Sequence, residues 1–147
     1  MVRFSYRMVP EVYQVFWAGM AAGEFINDAA MRCGDLDEAK TLLAMVAQGP
    51  AGHLPPYLAA QQSRYAALVT IESGQPATEL EAELRSAMET LRDLGYRYWL
   101  ARAQVDFARW LGTQNRQQEA ARLLADARQT FIELDASADL HRMALSA

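Results

Sequence analysis

One cysteine, Cys33, stands in the whole chain, so no intramolecular disulfide can form and no cysteine-rich zinc pattern exists. A lone thiol fits a reducing compartment and points to the cytoplasm. Histidine is nearly as scarce. His53 and His141 have no second His or Cys at a ligand spacing, and the sequence therefore predicts no metal and no cofactor. Lysine occurs once, at Lys40, against thirteen arginines, a ratio that points to the codon usage of a GC-rich bacterial genome and carries no chemistry. No run approaches the roughly 18 apolar residues of a membrane span. Glu11 and Gln14 interrupt the stretch MVRFSYRMVPEVYQVFWAGM and make it a poor signal peptide. The formal net charge of −4 excludes a strong attraction to nucleic acid. Residues 1–74 hold five basic and seven acidic side chains and residues 75–147 hold nine and eleven, so neither half is a polybasic arm or an acidic tail. These absences predict a soluble chain with neither a nucleic-acid nor a membrane partner.

Alternating β-branched runs are almost missing as well, and what is there is helical. Alanine, leucine, arginine and glutamate abound, residues that lose little side-chain entropy in a helix. At 147 residues and 52% apolar content, the chain can build one domain with a core. Val2, Phe4, Tyr6 and Met8 alternate in a short strand-like lead-in, read as an extension over 1–10 before a helix that Pro10 or Glu11 opens. A first helix over 11–32 carries Val12, Val15, Phe16, Ala22, Phe25, Ile26 and Ala29 on one face. After Gly34, Asp35 and Glu38 cap a second helix with Leu36, Ala39, Leu43 and Val46, which ends before GPAGHLPP. A third helix from Pro56 to Glu72 has Leu58, Tyr65, Leu68 and Val69 as its stripe. Thr78 and Glu81 form a capping box for a fourth, with Leu80, Leu84, Ala87, Met88 and Leu91 inward and Gly95 as its stop. The fifth, over 97–112, buries Leu100, Ala103, Phe107, Trp110 and Leu111, and the sixth, over 116–134, buries Ala120, Leu123, Leu124, Ala127, Phe131 and Leu134. Residues 137–146 close the chain as a short helix with Leu140 and Met143 turned inward.

The turns supply a ruler. Gly34, Gly74 and Asn115 each divide a helix from its partner, and they lie 40 and 41 residues apart. Glycine and asparagine tolerate the left-handed conformation of a tight turn. Small residues keep the same register: Ala67 and Ala108 both fall seven residues before a turn, Ala39 and Ala120 both five after one. The fold class expected is therefore all-α, a solenoid of three α-hairpins over about 11–48, 55–94 and 96–134, plus the closing helix.

The pattern resembles tetratricopeptide-type repeats. The third unit offers Phe107-Ala108, Leu111, Asn115, Ala120, Leu124 and Ala127, and the first offers Ile26, Ala30, Gly34, Ala39, Leu43 and Val46. Asn27 stands where a small residue belongs, and about three extra residues follow Gly74 in the second unit. ARAQVDFARWLGTQNRQQEAARLLADARQTFIELDA is similar to the C-terminal repeat arms of bacterial MalT/LuxR-type ATPase regulators and of adenylate-cyclase-like signalling proteins. Their GxxxxGK[ST] loop, cyclase core and DNA-binding helix-turn-helix find no counterpart here, so the chain reads as an excised arm or a stand-alone relative. The resemblance implies a concave surface lined by first helices, and its groove positions carry over to Glu24 and Asp28, to Gln61 and Arg64, and to Arg102 and Arg109.

Residue chemistry points away from catalysis. Cys33 reads as a buried, inert thiol at a helix end, and His53 and His141 read as surface residues. Asp35, Asp37 and Glu38, like Glu79, Glu81 and Glu83, suit the positive ends of helix dipoles better than a cation. Trp17, Trp99, Trp110, Tyr96 and Tyr98 fit packing between repeats better than a stacking platform for bases. Arg102 and Arg109 are two turns apart on one face. With Arg64 they either form a basic strip for an acidic peptide or carboxylate, or they are solvated side chains paired to Asp106 or Asp93. The expected function is a non-enzymatic scaffold for a protein or peptide partner in bacterial signalling or transcription control. The alternatives are a small-effector sensor and a self-association module that forms homo-oligomers.

Overall fold

A computed structural model of the chain describes residues 37, 40–41, 56–74 and 79–146, and every regular element among them is an α-helix. The chain divides into two compact units, Met1–Thr78 and Glu79–Ala147. The lead-in, the first helix and the Gly34 turn lie outside the described residues. So does most of the second helix, of which Asp37, Lys40 and Thr41 are helical and exposed. Within the first unit, α1 spans Pro56–Glu72, the interval predicted. Pro56 occupies the first helical position, where its missing N–H has no partner to lose. Leu58, Ala60, Tyr65, Ala67 and Val69 are buried on it, while Leu68 is only half-buried.

The second unit holds α2 (Leu80–Asp93), α3 (Arg97–Thr113), α4 (Gln117–Glu133) and α5 (Ser137–Leu145). All five apolar residues expected on the face of α2 are buried. Its N-cap differs from the expectation: Glu79 holds that position without a side-chain capping bond. Thr78 lies outside the described residues, and the Glu81 carboxylate accepts from Arg85 and Arg116. Ala103, Phe107 and Leu111 on α3, and Ala120, Ala127 and Phe131 on α4, are buried as predicted. Leu100, Trp110, Leu123 and Leu124 are half-buried, and Leu134 is exposed because it is the C-cap of α4.

Three turns of one build join these helices. Gly95, Asn115 and Asp135 have φ of 76°, 61° and 54° and follow one another at 20-residue steps. At each, the left-handed residue donates to the carbonyl three residues back (Arg92, Gly112, Ile132). The next N–H reaches five back: Tyr96 to Leu91 at 2.9 Å, Arg116 to Leu111 at 3.0 Å and Ala136 to Phe131 at 2.8 Å. These paired bonds satisfy the carbonyls that a helix end leaves open. The residue that closes one helix then caps the next, since Tyr96, Arg116 and Ala136 are the N-caps of α3, α4 and α5. Within this unit, 40 residues therefore span two strides of 20, from Gly95 to Asp135.

Side-chain pairings give the helix directions. Arg97 at the start of α3 bonds Glu133 at the end of α4, so these neighbours are antiparallel. Next-but-one helices are parallel. Glu81 at the start of α2 meets Arg116, just before α4, while Tyr98 and Asp139 bring the starts of α3 and α5 together. Between α3, α4 and α5 lies a core of Ala101, Ala127 and Phe131, against which Tyr98, Val105, Ala136, Leu140 and Met143 pack. Ala101 and Ala127 are fully buried, and their small side chains let α3 and α4 approach closely.

Candidate functional site

Residues 98, 102 and 109 share one face of α3 because they are one and two further turns apart, and that face meets α5. At its upper end, Tyr98 Oη donates to Asp139 Oδ2 at 3.1 Å and accepts from Arg102 Nη1 at 3.1 Å. Arg102 lies 3.7 Å from Asp139 Oδ1, and Arg142 bonds the same oxygen from one turn along α5. Asp139 is buried in the first turn of α5, where the helix dipole also favours negative charge. The Arg102 guanidinium sits 5.9 Å from the Trp99 ring centroid and 6.0 Å from that of Tyr98, within cation–π range. Two arginines, one from each helix, thus converge on the Asp139 carboxylate. At the lower end Arg109 is exposed and donates to Ser146 Oγ at 3.4 Å.

The other predicted groove residues fall differently. Glu24 and Asp28 lie outside the described residues. Gln61 and Arg64 come together on α1, Arg64 Nη1 donating to Gln61 Oε1 at 3.4 Å, but both are buried, with exposures of 3% and 0%. A partner could touch neither without displacing what covers them. Gln61 also donates to the Tyr57 hydroxyl at 3.3 Å, as Arg102 does to Tyr98. The two pairs stand 41 residues apart in the sequence. Cys33, His53 and Trp17 are outside the described residues, and His141 is exposed. Trp99 and Trp110 pack, Trp99 edge-on to Tyr98 at 5.1 Å and Trp110 stacked on Phe107 at 5.8 Å. Tyr96 is exposed. Among the described residues no group of three or more His, Cys, Asp and Glu gathers as a metal site requires, and no helix is long and apolar enough to cross a membrane.

Asp139, Arg142 and Arg128 were not singled out by the sequence. Asp139 looks like any acid in a first helical turn, and only the parallel packing of α3 and α5 turns it into the anchor of Arg102. Beside the seam, α3, α4 and α5 enclose a groove of about 950 Å³ whose lining includes Val105, Arg109, Leu124, Arg128, Leu140 and Met143.

On the opposite side, Glu81 and Glu119 alternate with Arg85 and Arg116 in a ring of charge between α2 and α4. Hydrogen bonds from Arg116, and next from Arg85, hold the Glu81 carboxyl at about 2, against an ordinary 4.5. A depressed folded-state value contributes stability that is fully present above the unfolded value and disappears as pH falls through the folded one. The window is therefore pH 4.5 down to about 2. Glu81 is one-third exposed, at 34%, so solvent screening reduces the effect to about 1 kcal/mol. Urea unfolding of the wild type and of Glu81→Gln should give curves separated by about that amount near neutral pH and converging toward the acid end of the window. A separation that does not change with pH would mean the ring adds nothing to the fold.

No protein-family model, curated protein or solved structure matches this chain.

Proposed function

We propose that the chain is a tetratricopeptide-like helical-repeat domain that docks a protein partner, with no bond made or broken. Helices that are antiparallel to their neighbours and parallel to their next-but-one neighbours, joined by equivalent turns every 20 residues, support a stack of α-hairpins. In that phase α3 and α4 form one hairpin and α5 opens the next, so α3 and α5 are first helices lying side by side. The observation that carries the binding role is the charge along their seam. Arg102 and Arg142 meet Asp139 there, and Arg109, further along the same face, is exposed to solvent and bonds the neutral Ser146 hydroxyl. Arginine presents a planar fork that matches carboxylates, which suits an acidic protein segment. The similarity of residues 101–136 to the repeat arms of bacterial ATPase regulators and cyclase-like proteins supports a regulatory setting for this contact.

The test uses the full chain as bait in extracts of its source organism, wild type beside an Arg109→Glu/Arg142→Gln double variant. Arg109 is exposed and the introduced glutamine amide can still donate to Asp139, and hydrogen exchange over Ser137–Leu145 checks that α5 stays docked. The wild type is expected to retain a partner at defined stoichiometry, with retention falling about tenfold or more in the variant. Equal capture by both proteins would remove the seam from the binding surface.

A further inference from the structure

From the groove between α3, α4 and α5 we infer that the partner segment is an amphipathic α-helix with acidic side chains about two turns apart. This deepens the interaction role proposed above and rests on it. The α4 wall of the groove runs from Gln117 to Ile132, about 22 Å at helical rise, which matches a guest helix of four turns. Three of the seven residues that α4 contributes to that wall are alanines. Ala121 and Ala125 are exposed and Ala120 is buried, so a second helix backbone could approach as closely as α3 does on the other side. Opposite stand Leu140, Met143 and Ala144 of α5.

An apolar wall of this length favours a helical guest over an extended one, because a helix satisfies its own N–H and C=O groups while a strand would press them unpaired against hydrocarbon. Ile132 is 52% exposed, and with Ala121 and Ala125 it leaves the groove open along its length. A small ligand would be poorly enclosed there, since such sites bury most of what they hold.

Charge selects the guest. Arg109 and Arg128 are the charged residues of the lining, and both are exposed. Arg109 bonds the neutral Ser146 hydroxyl, and Arg128 makes no ion pair among the described residues. Because the hairpin folds back about Asn115, Arg109 falls near Ala120 and Ala121. Arg128 is then about 10 Å further along α4, which corresponds to acids at positions i and i+7 of a guest helix. A second copy of this same surface would bring arginines against arginines, so self-pairing through the groove is disfavoured.

A display library of 16-residue peptides, selected on the full chain, tests this chemistry. The enriched class is expected to show Leu, Ile or Met at i, i+3 or i+4 and i+7, with Asp or Glu flanking them. An enriched peptide, followed by fluorescence anisotropy, should bind at least tenfold more weakly to Ala121→Trp, which fills the groove, and to Arg128→Glu. Replacing its acids with lysine should abolish binding to the wild type and restore it toward Arg128→Glu. Thermal melts of both variants confirm an intact fold. Enrichment of basic or patternless peptides, or affinity indifferent to Ala121→Trp, overturns the inference. A concentration-dependent dimer that Ala121→Trp dissolves also overturns it, in favour of a second copy. If those results came while the Arg109→Glu/Arg142→Gln variant still lost its natural partner, the interaction role would stand and only the groove's guest would be wrong.

Discussion

Replacing Phe131 with alanine is expected to destabilise the second unit by about 3–5 kcal/mol, the range for truncating a buried aromatic. Phe131 is 1% exposed and fills the space between α3, α4 and α5. Its nearest buried companions, Ala101 and Ala127, have no atoms to extend into the cavity that truncation leaves. The Tyr98 ring meets it edge-on at 6.0 Å and would lose that contact too. The position is also the carbonyl end of the Asp135 turn, where Phe131 O accepts the Ala136 N–H at 2.8 Å. Side-chain loss thus loosens the packing behind a backbone bond that helps orient α5. A unit of this size holds only about 5–10 kcal/mol in total, so the melting temperature should fall by more than about 10 °C. Urea unfolding followed by circular dichroism measures the cost. Ile132→Ala, one residue on but 52% exposed, is the control and should cost under about 1 kcal/mol. A Phe131→Ala cost no larger than the control's would show that the side chain is not part of the core.

Local structure was more legible in the sequence than the contacts between helices. The 3.6-residue spacing of Leu80, Leu84, Ala87, Met88 and Leu91 forces one buried face, and all five are buried. Gly74, Gly95 and Asn115 were readable as turns because few residue types accept positive φ, and all three have it. Asp135 accepts it as well, yet an aspartate has many other uses, so the third equivalent turn and the 20-residue stride were missed. Periodicity says that a residue faces inward but not what it meets. Arg102 reads from the sequence as an inner-face cation, while Asp139, 37 positions further on, becomes its neighbour only through the parallel packing of α3 and α5. A related limit applies at the start of α2: the spacing of Glu81 said nothing of the two arginines, one of them beyond α2, that bond its carboxylate. The same limit applied to Arg64, whose burial on α1 no stripe of polar residues announced.

Asp139→Asn is expected to release α5 from α3 more than it unfolds the whole unit. The substitution keeps the shape and removes the charge that the Arg102 and Arg142 guanidinium groups share. Arg102 has a side-chain exposure of 14% and Asp139 of 8%, so this pair is screened far less than the ring around Glu81. Breaking a buried pair usually costs about 3–5 kcal/mol, and because Arg102 keeps other partners the cost here is expected near the lower end, about 2–4 kcal/mol. Loss of a negative charge from the first turn of α5 adds about 0.3–1 kcal/mol. Because α5 has only nine residues and lies at one side of the unit, the cost is met most cheaply by local opening. Hydrogen exchange should therefore accelerate about 30-fold or more across Ser137–Leu145, while α2 and the first half of α3 keep their protection. Tyr98→Phe should reproduce part of the effect, about 1 kcal/mol, and the two changes together should cost less than their sum, since both remove the Tyr98–Asp139 hydrogen bond. The functional consequence follows from position. Leu140 and Met143 of α5 form one wall of the groove, and peptide affinity should fall in Asp139→Asn although Asp139 itself is not among the groove's lining residues. Full retention of both exchange protection and peptide affinity would mean that apolar packing alone holds α5 in place.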